Sequence, residues 1–422
     1  MTTPANTLPG AYFDVPGVPG GSTQWTNQDD TTVNLSTTIS SSTQVPITGI
    51  QQFKQTDVVS NWFLCLAVAQ TYTAGTSTLT KSAYAPYNVL GPCKLPIQNQ
   101  YASVDVESGI DLAIFNMIRP FAKPEILNGV NNYANPAGDP IGGTATGYLT
   151  TALAQANQIN AAQWATTTTE YSLMLRLPAA QWFDSYWDLA VTGEPVANPH
   201  PALVSPQYMA GTTRVITPQL WLNPGSTAVT DGGPVNIGSG TGTFSGSSIL
   251  RLRRRSNYAG SVQTSPPVYA WQYAWKTQRF NISGQSRFDL LVPLDAGQVL
   301  SVYVRLFDPA ASSGLGAPID ISTITRVNLQ YGSGLYWFDA ETVGNINAAA
   351  LVQQEWFGKH STMLPPGVVA FDLAMDERGQ LTNARALNTL TTAGVLVHME
   401  FSSALSSSAY AVMGIESLVY VT

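Results

Sequence analysis

RFDLLVPLDAGQVLSVYVRLF, residues 287–307, holds two apolar runs, RFDLLVPL (287–294) and QVLSVYVRLF (298–307), parted by Asp-Ala-Gly. Runs of this length, rich in Val, Leu, Tyr and Phe and bounded by Pro and Gly, read as β-strands. Downstream follow TRVNLQYG (325–332), GVVAFDLAM (367–375), GVLVHMEF (394–401) and SLVYVT (417–422). Upstream, Tyr269, Trp271, Tyr273 and Trp275 alternate strictly. Alternation marks a strand because successive side chains point to opposite faces. By the same rule His398 falls opposite Val395, Val397 and Met399 and reads as a strand-surface histidine. One helix is expected in this half, over 341–357 (ETVGNINAAALVQQEWF).

The earlier part of the chain repeats that order of events. Trp62–Ala69 (WFLCLAVA) is apolar or small on both faces, which suits a strand covered on both sides. SVDVESGIDLAIFNMI (103–118) is read as a strand pair, TEYSLMLRL (169–177) as one strand, and TTRVITPQLWLN (212–223) closes the block. A moderately amphipathic helix is expected over 147–164, and a second short one from Ala179. Residues 1–44, with Pro4, Pro9, Pro16 and Pro19 among several glycines, form an extended N-terminal arm, either a loose tail or an arm ordered against neighbouring subunits. Strands at this spacing, without alternating helices, argue for antiparallel sandwiches and against a parallel α/β sheet. The expected organisation is all-β: arm 1–44, first sandwich 45–225, a Gly/Ser/Thr-rich linker or loop 226–250, and second sandwich 251–422.

Composition narrows the function. The 422 residues carry 19 Lys+Arg against 26 Asp+Glu, a net charge of −7, and only 11% are charged, against about 25% in ordinary domains. Disordered chains combine high charge with few aromatics, so 10% aromatics with low charge excludes that class. An acidic chain is also a poor direct binder of nucleic acid. Depletion of Lys, Glu and Asp with abundant aromatics is the composition of interface cores, and it points to a protein covered by neighbours. Residues 1–21 have neither a basic stretch nor an apolar core and do not read as a secretory signal. The run 62–69 is far short of the ~20 residues of a membrane-spanning helix. With only Cys65 and Cys93, a disulfide scaffold is not expected, and folding in a reducing cytoplasm is the simpler expectation.

Chemistry-bearing patterns are few. His200, His360 and His398 are far apart, and no metal-ligand spacing gathers them. The Gly-rich GSGTGTFSG (238–246) lacks the Lys that a phosphate loop needs. No cofactor is expected. Acid pairs of the kind a glycosidase uses are Asp29/Asp30, Asp105/Glu107, Asp184/Asp188 and Asp376/Glu377, with Asp105 and Glu107 placed on one strand face. Chance alone supplies such pairs in a chain with 26 acids. One basic cluster stands apart: Arg251, Arg253, Arg254 and Arg255 in LRLRRRSNY. It reads either as a solvated loop or strand end facing scattered acids, or as a contact with an anionic surface such as lipid headgroups or an acidic patch on a neighbour.

In order along the chain, several segments resemble the double jelly-roll major capsid proteins of membrane-containing icosahedral viruses, tectivirus-like bacteriophages above all. They are TDVVSNWFLCLAVAQTYT (56–73) with SAYAPYNVLGPCKLPIQNQ (82–100), TTEYSLMLRLPAAQWFDSYWDLAV (168–191) before TTRVITPQLWLN, and the late helix followed by LPPGVVAFDLAMDERGQLTNARALNTL (364–390) and GVLVHMEF. The resemblance spans roughly 45–422. It implies two tandem eight-stranded jelly rolls, each with a short inserted helix, and a non-enzymatic homotrimer acting as a pseudo-hexameric capsomer. It further implies a virion shell, assembled in the host cytoplasm around a membrane-enclosed DNA genome. The implied partners are neighbouring capsomers, penton, minor capsid and internal membrane proteins. Two rival classes remain at this level: a secreted or virion-surface receptor- or glycan-binding β protein, and a β-sandwich glycan hydrolase using Asp105/Glu107 or Asp184/Asp188.

Overall fold

The computed structural model describes residues 21–27, 31–39, 43–47, 53–54, 58–74, 80–81, 84, 87–97, 101–118, 125–127, 168–177, 207–208, 215–216, 219–225, 235–236, 242–259, 271–293, 297–311, 316–332, 334–360, 364–374, 387–389 and 394–420. The helices expected at 147–164 and from Ala179 lie outside them. The longer elements up to residue 259 are β1 (Gly21–Asn27), β2 (Thr31–Ile39), β3 (Thr43–Pro46), β4 (Val58–Ala74), β5 (Leu90–Ile97), β6 (Tyr101–Val106), α1 (Gly109–Ile118), β7 (Thr168–Leu177), β8 (Gln219–Gly225) and β9 (Gly242–Ala259). The later ones are β10 (Trp271–Asn281), β11 (Arg287–Val292), β12 (Gln298–Asp308), β13 (Ile324–Tyr331), β14 (Leu335–Glu341), α2 (Ala348–His360), β15 (Val368–Asp372), β16 (Val395–Phe401) and β17 (Tyr410–Tyr420).

In the later half the strands divide between two layers. One is the four-stranded sheet β11–β16–β13–β14 and the other the run β10–β17–β12, with β15 also on β12. The chain passes back and forth between the layers, an eight-stranded jelly roll. Side-chain alternation places it: Phe288, Leu290 and Val292 of β11 and Val395, Val397, Met399 and Phe401 of β16 face inward. By contrast β12 is buried from Val299 to Phe307, because both of its faces are covered.

The two halves share a sheet. The ten-stranded sheet continues from β10 into β6, β5, β8 and β3 of the earlier half. Its junction is the parallel pair β6–β10, with Val104 opposite Trp275 and Asp105 opposite Lys276. A further seven-stranded sheet, belonging to the earlier half, runs β1–β9–β4–β7 to the short strand Glu125–Leu127, with β2 also on β9.

Four expectations change. Residues 109–118, read as strand, are helical. Ser108 precedes the helix, its carbonyl accepting the Asp111 and Leu112 amides at 3.1 and 3.4 Å, and Asp111 stands three residues on, a capping-box spacing ahead of an apolar run. A ten-residue run that is apolar apart from Asp111 and Asn116 has no clear period to separate helix from strand, and all ten residues are buried. The later helix starts at Ala348 instead of 341, because Asn347 caps it (Oδ1 accepts the Ala349 amide at 2.7 Å) and the preceding residues make β14 and a turn with Gly344 at φ 60°. Residues 242–250, expected in a linker or loop, are the first half of β9, paired with β4 on one edge and β2 on the other. Gly and Ser there are tolerated because the backbone ladder on both edges, and not side-chain preference, holds the strand. Finally, residues 21–27 and 31–39 of the arm pair with β9 of their own chain.

Candidate functional site

A buried joint holds the halves together. α1 belongs to the earlier half by sequence, yet its Asp111 carboxylate accepts from three groups of β12 besides the Ser108 hydroxyl of its own half (3.4 Å). Arg305 of β12 donates through Nε at 3.0 Å and Nη2 at 3.2 Å, and the Tyr303 hydroxyl donates at 3.0 Å. Arg305 and Asp111 are both 0% exposed. Burying a lone charge is expensive, so an Arg inside QVLSVYVRLF requires a carboxylate from elsewhere. Burial, with the Asp111 charge beside it, raises the Tyr303 phenol well above its ordinary value, so it stays neutral and donates. Around this network Phe115 stacks on Trp275 (5.0 Å between centroids) and meets Tyr303 edge-on (5.1 Å), and Tyr84 bonds the Pro366 carbonyl at 3.3 Å. Two glycines make room: a Cβ on Gly414 would lie 1.9 Å from the Tyr303 ring, and one on Gly109 2.1 Å from the Tyr87 carbonyl oxygen.

The outward side of the four-stranded sheet is ordered in rows. Across the strands run Arg287, Glu400, Arg326 and Glu341, then Asp289, His398, Asn328 and Asp339, then Leu291, Leu396, Gln330 and Tyr336. Opposite charges thus lie side by side, the favourable arrangement on a sheet. Arg326 meets Asp339 at 3.0 Å, and His398 bridges Asp289 (Nδ1, 2.6 Å) and Glu400 (Nε2, 2.9 Å). Both imidazole nitrogens face carboxylates, an arrangement in which the protonated ring donates to both. Partial burial opposes that charge, but the bonds to Asp289 and Glu400 outweigh it and raise the His398 pKa.

The residues singled out by sequence fare unevenly. Asp105 and Glu107 do not form a pair: Asp105 binds Lys94 at 3.1 Å, whereas Glu107, beyond the end of β6, binds Arg279 at 2.9 Å. Burial raises the Glu107 carboxyl, against the lowering by Arg279. His360 stacks on Trp356 and meets Asp372 at 3.0 Å. Cys93 is free and buried, and burial, with Asp105 adding to it, pushes its thiol far up. Asp29, Asp30, Asp184, Asp188, Asp376, Glu377 and His200 lie outside the described residues. Arg251, Arg253, Arg254 and Arg255 occupy the middle of β9, opposite Cys65, Phe63, Trp62 and Asn61 of β4, so they are neither in a loop nor at a strand end. Among the described residues no three His, Cys, Asp or Glu gather as a metal site, and no helix is long and apolar enough to cross a membrane. The joint of Asp111, Tyr303 and Arg305 was missed from sequence, although its signal was present as two lone charges inside apolar runs.

The sequence matches no family model and no curated protein. Solved structures do match. The first is the major capsid protein of STIV, at 13% identity and TM-score 0.50, covering 93% of this chain and 97% of that one. The second is a chain of the atomic structure of Sulfolobus turreted icosahedral virus, at 13% identity and TM-score 0.50, covering 93% and 91%. The chain therefore has the double jelly-roll fold of viral major capsid proteins, as the order of its segments led us to expect.

Proposed function

We propose that the chain is a viral major capsid protein, non-enzymatic, acting through shape and self-association. The observation that carries this reading is the end-to-end likeness to a capsid protein of the same length class, 93% of one chain against 97% of the other. The joint between the halves supports it, since a shell subunit must transmit load without hinging. Three copies of a two-barrel chain give six barrels around a threefold axis, so one chain type can occupy hexagonal positions. In this reading the homotrimers meet neighbouring capsomers, with penton, minor capsid and internal membrane proteins at special positions. The shell encloses a membrane-bound DNA genome, as in tectivirus-like bacteriophages. The pairing of β9 with strands of the earlier half supports carrying the first barrel through Ala259 and starting the second at β10, in place of a division at 225 and 251. Arg251, Arg253, Arg254 and Arg255 serve an anionic surface, either lipid headgroups or an acidic face of a neighbouring capsomer.

Light scattering with native mass measurement on the purified protein tests the central statement. A heat-resistant particle of three chains is expected, and a stable monomer overturns it. For the arginines, exchange of all four to Gln is expected to leave the trimer intact and abolish co-sedimentation with vesicles rich in anionic lipid, and unchanged co-sedimentation removes the lipid assignment.

A further inference from the structure

Among the described residues six large apolar side chains are exposed, and five of them, Leu335, Tyr336, Val343, Ile346 and Phe357, fall within residues 335–357. Val343 and Ile346, 68% and 57% exposed, sit in the turn that leads into α2. That turn is stiff. Val343 and Ile346 exchange backbone hydrogen bonds at 3.0 Å, the Thr342 amide donates to the Thr325 carbonyl at 2.7 Å, and Asn347 binds the Ser322 carbonyl while capping α2. On α2 the exposed positions Ala350, Gln354, Phe357 and Gly358 share one face and carry no charge. The helix's Lys, Glu and His side chains are engaged on its flank: Lys359 with Glu355 at 2.9 Å and the Asp372 carbonyl at 3.0 Å, and His360 with Asp372 at 3.0 Å.

We propose that this turn and the outward face of α2 form the contact on which a second copy of the same chain docks. Two copies each bearing −7 repel at long range. They therefore adhere best through uncharged apolar surface, this patch meeting a different face of the next copy as a threefold contact requires, and here such surface is held rigid before contact, which lowers the ordering cost of association. The exposed residues of α2's outward face and the exposed Val343 and Ile346 carry no charge, and the exposed carboxylate next to them in sequence is Glu341, at the end of β14. The inference rests on the self-association proposed above and adds to it the place where the copies meet.

The test is Ile346→Glu with Phe357→Glu in the full chain, read by native mass, far-UV circular dichroism and thermal unfolding. Both positions are exposed, so an unchanged spectrum is expected together with loss of the trimer at concentrations where the parent is fully assembled. Phe357→Gln alone is the milder variant should the pair fail to fold; its trimer is expected to dissociate at a protein concentration at least tenfold higher than the parent's. Leu291→Glu, equally exposed on β11 and away from the patch, is expected to keep the trimer. A folded double variant (or, if that pair does not fold, a Phe357→Gln chain) that assembles as the parent does, or equal loss in the Leu291 variant, overturns the assignment. A monomeric parent instead overturns the capsid reading itself.

Discussion

Two Arg–Asp pairs, each with its arginine in the later half, have the same chemistry and the same closest approach, 3.0 Å, yet live in different solvents. Arg305–Asp111 is wholly buried and joins residues 194 apart, whereas Arg326–Asp339 is about one-third exposed and joins neighbouring strands. In the buried pair each charge has surrendered its hydration and depends on the other; in the outer pair water remains to solvate whichever partner is left. Geometry alone does not separate a group that organises the molecule from one that decorates it. Burial does.

Asp111→Asn should break this contrast most severely, since it strips a buried Arg of its carboxylate. The expected cost is about 3–5 kcal/mol in denaturant unfolding, with both halves loosening together in hydrogen exchange. If the joint acts mainly through the ion pair, Asp111→Leu combined with Arg305→Met should recover much of that loss. Next comes Gly414→Ala: the Tyr303 ring must move from its place over the glycine, carrying its hydroxyl off Asp111, and a loss of roughly 1–3 kcal/mol is expected. A neutral effect would show that the ring has room to shift.

His398 lies between the two extremes. Its pKa is raised in the folded chain, so its contribution is fully present below its ordinary value near pH 6.5 and is lost as pH climbs through the higher folded value. His398→Gln should therefore destabilise by less than about 1 kcal/mol at acid to neutral pH, with the gap to the parent closing on the alkaline side. A gap independent of pH would sink the bridging role. Smallest of all is Arg326→Ala, expected at about 0.2–1 kcal/mol and shrinking with added salt.

How much of this was legible beforehand follows the same divide. β11 and β16 bury alternate residues, so their period was visible and they were read correctly, His398 on the outer face included. β9 was missed over 242–250 because Gly, Ser and Thr carry little period, and its pairing on two edges is a non-local fact. α1 was mistaken for strand because a run buried on every side gives no phase, even though Ser108 and Asp111 marked its start. The acid pair Asp105/Glu107 looked joint in sequence and dissolved once each met a different cation.

Local pattern by itself determined that the chain is built of strands, how most of them turn their faces, and that its surface is unusually poor in charge. Those properties depend on near neighbours and on composition. Which half owns β9, the parallel β6–β10 junction and the pairing of Asp111 with Arg305 were decided only in three dimensions. Partners nearly two hundred residues apart leave no periodic trace, and the low-dielectric interior that binds them exists only after the halves have closed on each other.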